Sequence, residues 1–339
     1  MPYVERVELS FPTSEERVVI PLDSILRPFM LLPLFPKLDT LCLKGLDQGF
    51  DECIELLHHH VSHSLHLRTL VLMDQYYPDL GTLQRLIAAF PGIDWLGLHD
   101  VEWISPDEDL SVNLPRGLTG LEVRCDNGQP QHRFLVWLLM SLQASHSLNT
   151  FILDINHEPG DIELVQFLIA EKGASLVHLE LGRQARLWEA TPRKQPCHLP
   201  PHDHHANSVD LAPYLAIYSL FPCHSLKDLA IGWINPDSPH DPSFPPWYIH
   251  LLQTVDSPLS SLTMRLHLKG PLRVNQLNGV HWDAIVALLH SPRLASLRRL
   301  HLEFSSDHEL SVDMLDQILQ SCIPSPGIPR SVKLVLSYL

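Results

Sequence analysis

One short arrangement of apolar residues recurs along the chain: two leucine-like positions three apart, then another apolar residue two further on. It reads LDTLCL (38–43), LRTLVL (67–72), IDWLGL (93–98), LTGLEV (118–123), LNTFIL (148–153), LVHLEL (176–181), LKDLAI (226–231), LSSLTM (259–264) and LRRLHL (297–302). VERVEL (4–9) and a degenerate PRSVKL (329–334) extend the series at either end. Within each phrase the fourth and sixth positions alternate with variable residues, which predicts a strand with one buried face. Leu96 and Leu98 then point inward, while Trp95, Gly97 and His99 point outward.

Between the phrases the apolar spacing changes to three and four, as on one face of a helix. Ile54, Leu57 and Val61 form one such set, followed by Leu83, Leu86, Ile87 and Phe90, by Leu135, Leu138, Leu139 and Leu142, and by Ile285, Leu288 and Leu289. LDSILRPFMLL (22–32) stands where the second repeat needs its helix. Pro91 after Phe90 and Pro222 after Phe221 mark helix ends, because proline cannot continue the hydrogen-bonded turn. Each repeat is one strand and one helix, and neither buries its apolar side without the next repeat.

The last apolar residues of successive phrases are separated by 25 to 38 residues, except for 50 between Leu181 and Ile231. Leucine-rich repeats occupy roughly 20–29 residues, so the middle repeats fit and the others carry insertions. The phrases, with the helix–proline–strand run LIAAFPGIDWLGL, resemble the leucine-rich-repeat region of ribonuclease-inhibitor-like proteins, especially the F-box-associated solenoids of mushroom-forming fungi. That resemblance implies an α/β fold: a curved horseshoe with parallel strands on the concave face and helices on the convex face. It covers residues 1–339 as a single domain of about 10–11 irregular repeats, with insertions near 184–210 and 233–248. The asparagine such repeats carry three residues after the last leucine is clear only at Asn156, and no F-box module is visible ahead of the first strand.

Composition narrows the function classes. A formal charge of −15 without a basic stripe argues against nucleic acid. The apolar run FLVWLLMSL (134–142) is too short to span a bilayer, and the N-terminus shows no signal-peptide pattern. Six scattered cysteines without a CxxC pair read as reduced thiols, and we expect a cytoplasmic or nuclear protein with no membrane partner.

Two histidine-rich stretches invite a metal reading. In PCHLPPHDHHANS (196–208), Cys197, His198, His202, His204 and His205 are competent ligands, but Pro192, Pro196, Pro200 and Pro201 favour an extended loop. His59 and His63 stand four apart in LLHHHVSHS (56–64), yet two ligands do not make a site. We therefore assign no metal and no cofactor. Neither GxxxxGK[ST], HExxH nor GxSxG occurs. HEPGD (157–161) reads as a loop after the sixth strand, and Asp107, Glu108 and Asp109 as a solvated turn, so a non-catalytic protein is expected.

Solenoid curvature would make the outward strand residues a binding face. Candidates there are Trp95, His99, Glu122, Arg124, Asp154, His178, Glu180, Arg265, Arg299, His301 and Glu303, with tryptophan and arginine the usual anchors. The proline-rich WINPDSPHDPSFPPWYI (233–249) is a second candidate, its Trp247 and Tyr248 serving either as anchors or as the opening of the next helix. The expected partner is an unidentified protein. The resemblance implies work as the substrate-recognition part of a ubiquitin-ligase adaptor, reaching a SKP1-type adaptor only if an F-box is supplied upstream. The alternative is a stand-alone regulator of inhibitor or GTPase-activating type.

Overall fold

The computed structural model describes residues 4–11, 21–46, 50–60, 66–103, 114–125, 132–142, 148–154, 159–182, 219–234, 246–268, 276–306, 308, 312–323 and 327–338. They fall into two compact units, residues 1–155 and 156–339.

The first unit carries strands β1 (Arg6–Ser10), β2 (Thr40–Lys44), β3 (Thr69–Tyr77), β4 (Trp95–Trp103), β5 (Gly120–Arg124) and β6 (Thr150–Asp154). Its helices are α1 (Leu22–Leu31), α2 (Phe50–His60), α3 (Leu80–Ala88) and α4 (His132–Leu142). The second unit opens with helix α5 (Pro159–Lys172), followed by β7 (His178–Leu181), β8 (Asp228–Ile234), α6 (Trp247–Gln253), β9 (Ser261–Leu268), α7 (Trp282–Leu289), β10 (Arg299–Ser306), α8 (Val312–Cys322) and β11 (Lys333–Tyr338). Within each unit every strand pairs in parallel with the next in sequence. Parallel neighbours need a crossover between them, and among the described residues helices supply it in all connections but those from β4 to β5 and from β7 to β8. The result is a solenoid-like α/β repeat architecture.

Register confirms the phrase as the repeating unit. Leu41, Leu70, Leu96, Leu121 and Phe151 stand opposite one another, as do Leu43, Leu72, Leu98, Val123 and Leu153. All ten are at most 1% exposed. The second unit has two equivalent rows of its own, one through Leu179, Leu229, Leu262 and Leu300 and one through Leu181, Ile231, Met264 and Leu302. One backbone bond recurs between repeats: Thr40 N–H donates to Glu5 O, Thr69 to Asp39, Trp95 to Arg68, Gly120 to Asp94 and Thr150 to Thr119. The last repeat is offset from the sequence reading, since Leu336 rather than Leu334 stands in register with Leu302. The phrase that forms the final coil is therefore SVKLVL (331–336), which begins with serine where the others begin with an apolar residue.

The helices follow the three-and-four spacing with local differences. In α4 the fully buried aromatic is Trp137, packed edge-on against Trp103 at 6.1 Å, and Leu139 is only half-buried. In α7, Val286 is buried and Leu288 half-buried. HEPGD is not wholly a loop: Pro159, Gly160 and Asp161 open α5. Proline suits a first helical position, because its preset φ matches the helix and its missing N–H would have no partner there. Trp247 likewise opens α6 after Pro246, and the buried Tyr248 hydroxyl donates to Val280 O at 2.9 Å.

No helix among the described residues is long and apolar enough to cross a membrane. Residues 183–218, with the Cys197–His205 stretch, lie outside the described residues, as do Val61, His63, Asp107, Glu108, Asp109, Asn156 and residues 235–245.

Candidate functional site

Alternation sends the first, third and fifth positions of each strand away from the helices, and register aligns them into rows. In the first unit one row runs Thr40, Thr69, Trp95, Gly120, Thr150; the next Cys42, Val71, Gly97, Glu122, Ile152; the third Lys44, Met73, His99, Arg124, Asp154. In the second unit the rows are His178, Asp228, Ser261, Arg299, Lys333, and Glu180, Ala230, Thr263, His301, Val335, with Arg265, Glu303 and Ser337 in a third.

These rows are not the loosely solvated surface that alternation alone suggests. Glu122 on β5 accepts from Arg124 Nε at 2.5 Å and sits 3.1 Å from His99 Nε2 on β4. Arg124 also approaches Asp154 on β6 at 3.6 Å, where the carboxylate is 5% exposed. Burial alone would raise the Glu122 pKa. The hydrogen bonds and positive charges of His99 and Arg124 outweigh it and hold the carboxyl down to about 2. Asp154 is thus a buried anchor for the arginine rather than an exposed contact.

A second cluster repeats this plan. Arg265 on β9 donates through Nη1 to Glu180 on β7 and through Nε to Glu303 on β10 at 2.6 Å. Its reach to β7 crosses β8, where Ala230 stands between and carries only a methyl group. His301 Nδ1 lies 3.4 Å from Glu303, and its Nε2 lies 2.8 Å from Ser337 Oγ. Desolvation would lower the Arg265 pKa, but the two glutamates overcome this and push it up. Each cluster is an arginine between two carboxylates, one of which also meets a histidine.

Beside the first cluster lies an aromatic plate. A Cβ at Gly120 would overlap the ring of Trp95, its register partner, so the indole lies across the bare backbone of β5. The glycine gives the ring a fixed seat. Cys42 donates to Met73 Sδ at 3.4 Å nearby.

The structure thus brings together His99, Glu122, Arg124 and Asp154, with Trp95 adjacent, and separately Glu180, Arg265, His301 and Glu303. His178 and Arg299 lie on the same face but in neither cluster. The sequence reading passed over the roles of Gly120 and Ala230, whose smallness is what admits Trp95 and Arg265. It also passed over Gln75, wholly buried, whose Nε2 donates to Leu43 O at 2.8 Å and whose Oε1 accepts from Tyr77. Gln75 stands three residues after Leu72, the place where the resemblance expects asparagine, and that spacing could have found it.

Among the described residues no group of three or more histidine, cysteine, aspartate or glutamate side chains is placed to hold a metal ion. Cys42, Cys53, Cys125, Cys223 and Cys322 form no disulfide, and burial pushes Cys53 and Cys223 up to about 12, which suits packing rather than nucleophilic work.

Fold and face define a solenoid-like α/β repeat protein with a preorganised polar strand face. No family model matches the chain, and no curated protein sequence matches it. Among solved structures, the crystal structure of a structural-genomics target from Bacteroides fragilis covers 99% of this chain and 74% of its own, at 12% identity and a TM-score of 0.42. The architecture stated above rests on strand order and register.

Proposed function

We propose that this chain is a non-catalytic leucine-rich-repeat protein of horseshoe type, acting in the cytoplasm or nucleus, that recognises another protein through its strand face. The observation that carries this reading is the Trp95–Arg124 patch. Trp95 rests on Gly120, two positions along β5 from Glu122, which with Asp154 holds the Arg124 guanidinium, so an aromatic and an arginine anchor on one face are already ordered. Ordering before contact removes part of the entropy cost of binding, and these two residue types dominate interface energetics. By its resemblance, the role is that of the substrate-recognition part of an F-box ubiquitin-ligase adaptor.

Quantitative affinity capture with the full chain tests the reading against two variants. Trp95→Ala with Arg124→Ala strips the patch, whereas Phe167→Ser alters an exposed residue of α5. A partner retained by the wild type and the Phe167 variant but reduced at least tenfold with the patch variant supports recognition through this face. Equal capture by all three overturns it. Co-purification of a SKP1-type adaptor with the same partner supports the ubiquitin role; a stable complex without it makes the chain a stand-alone regulator.

A further inference from the structure

The cluster around Arg265 ends differently from the one around Arg124. His301 and Glu303 stand two apart on β10 and so share one face, and Ser337 of β11 is the register partner of Glu303. His301 Nε2 lies 2.8 Å from Ser337 Oγ, while its Nδ1 lies 3.4 Å from Glu303 Oε1. In the other cluster the same ring nitrogen of the histidine meets a carboxylate, with His99 Nε2 3.1 Å from Glu122. A hydroxyl, an imidazole and a carboxylate in that order are a nucleophile, its base and the group that orients the base.

The surroundings set how each part works. Glu303 Oε2 accepts from Arg265 Nε at 2.6 Å, which fixes the carboxylate beside the imidazole. A carboxylate at Nδ1 selects the tautomer with its proton there and leaves the Nε2 lone pair for the Ser337 hydroxyl. Arg265 does not cancel the charge that His301 needs. One arginine stands between Glu180 and Glu303, so the three keep one net negative charge, which favours the imidazolium formed on proton transfer. His301 and Glu303 are 24% and 15% exposed and Ser337 is half-buried, so a small reagent has access. Ala230, Thr263 and Val335 share the row of His301 and are small and uncharged, which suits a short acyl group.

We propose that Ser337 is an acyl-accepting nucleophile, taking a short acyl group from an activated ester or thioester with His301 as its base. The bond from Ser337 Oγ to the acyl carbon forms as the hydroxyl proton passes to His301 Nε2. The tetrahedral adduct then breaks its bond to the leaving oxygen or sulfur, which departs with the electron pair, and His301 gives its proton to the leaving group or to water. A single transfer leaves an acyl-serine and requires no turnover. The inference goes beyond partner recognition and uses none of the first-unit residues that carry that reading.

Treating the full chain with p-nitrophenyl acetate tests this. The wild type should gain an acetyl group that peptide mass spectrometry places on Ser337, with one matching equivalent of nitrophenolate that Ser337→Ala does not release. His301→Ala should slow labelling of Ser337 about a hundredfold, and added imidazole should restore part of the rate in that variant but not in Ser337→Ala. Glu303→Gln should slow it about tenfold and Glu303→Asp, which returns the charge, should recover part of the loss. Acetyl groups on surface lysines with none on Ser337, or labelling of Ser337 at a rate indifferent to His301, overturns the proposal. Release that continues past one equivalent and depends on Ser337 supports the nucleophile and overturns the non-catalytic reading instead.

Discussion

Glu122 shows how much of the strand face is internal bookkeeping of charge. Its carboxyl is held at about 2 against an ordinary value near 4.5, so the ionised form is favoured by the fold. That contribution is fully present above about pH 4.5 and is lost as pH falls toward 2. After screening at a half-buried site it is worth about 2 kcal/mol. Glu122→Gln should lower stability at neutral pH by that order, and the difference from wild type should shrink to nothing by about pH 2 in denaturant titrations. Arg265 has the larger stake, since Glu180 and Glu303 are 5% and 15% exposed and lose their cation together. Arg265→Met should cost about 3 kcal/mol, and adding Glu180→Gln should recover part of it by relieving one stranded charge. If the single substitution proves neutral in urea unfolding, the cluster is not holding the strands.

At the scale of elements, β3 and β4 run further than their neighbours because both pass through a left-handed residue at the same point. Asp74 has φ 51° and Asp100 φ 49°, and pairing resumes after them from Gln75 with Val101 to Tyr77 with Trp103. Aspartate tolerates this region better than most residues. The turn brings Gln75 inside, where it ties β3 to the backbone of β2 and receives the Tyr77 hydroxyl. Gln75→Leu should cost about 3 kcal/mol by stranding Leu43 O and the tyrosine hydroxyl, and Tyr77→Phe in that background should recover about 1. Additive losses for the two substitutions would show that they do not share a network. The helix between strands matters chiefly as a lid: α3 is capped by Asp79, whose carboxylate accepts from Thr82 N–H at 2.6 Å, and it stops before Pro91 as the spacing predicts.

For the molecule as a whole, protection should follow burial from strand to strand. Amides of the half-buried Val7 and Leu9 should exchange much faster in hydrogen exchange than those of the fully buried Leu70 and Leu72. Equal protection would mean that β1 is held as firmly as β3. The register of ten of the eleven coils could be read from the chain, because a strand with one buried face must alternate and a slip of one residue would reverse its faces. The misplaced eleventh had lost the apolar residue that opens the phrase, and with it the cue. What alternation could not show is what the outward residues do with one another. His99, Glu122, Arg124 and Asp154 lie as much as 55 residues apart in the chain. Their meeting depends on strand register and on burial that makes pairing favourable. A periodic pattern determines which side of a strand is apolar, since that follows from local geometry and water alone. Which charges end up partners was decided only when successive strands came to lie side by side.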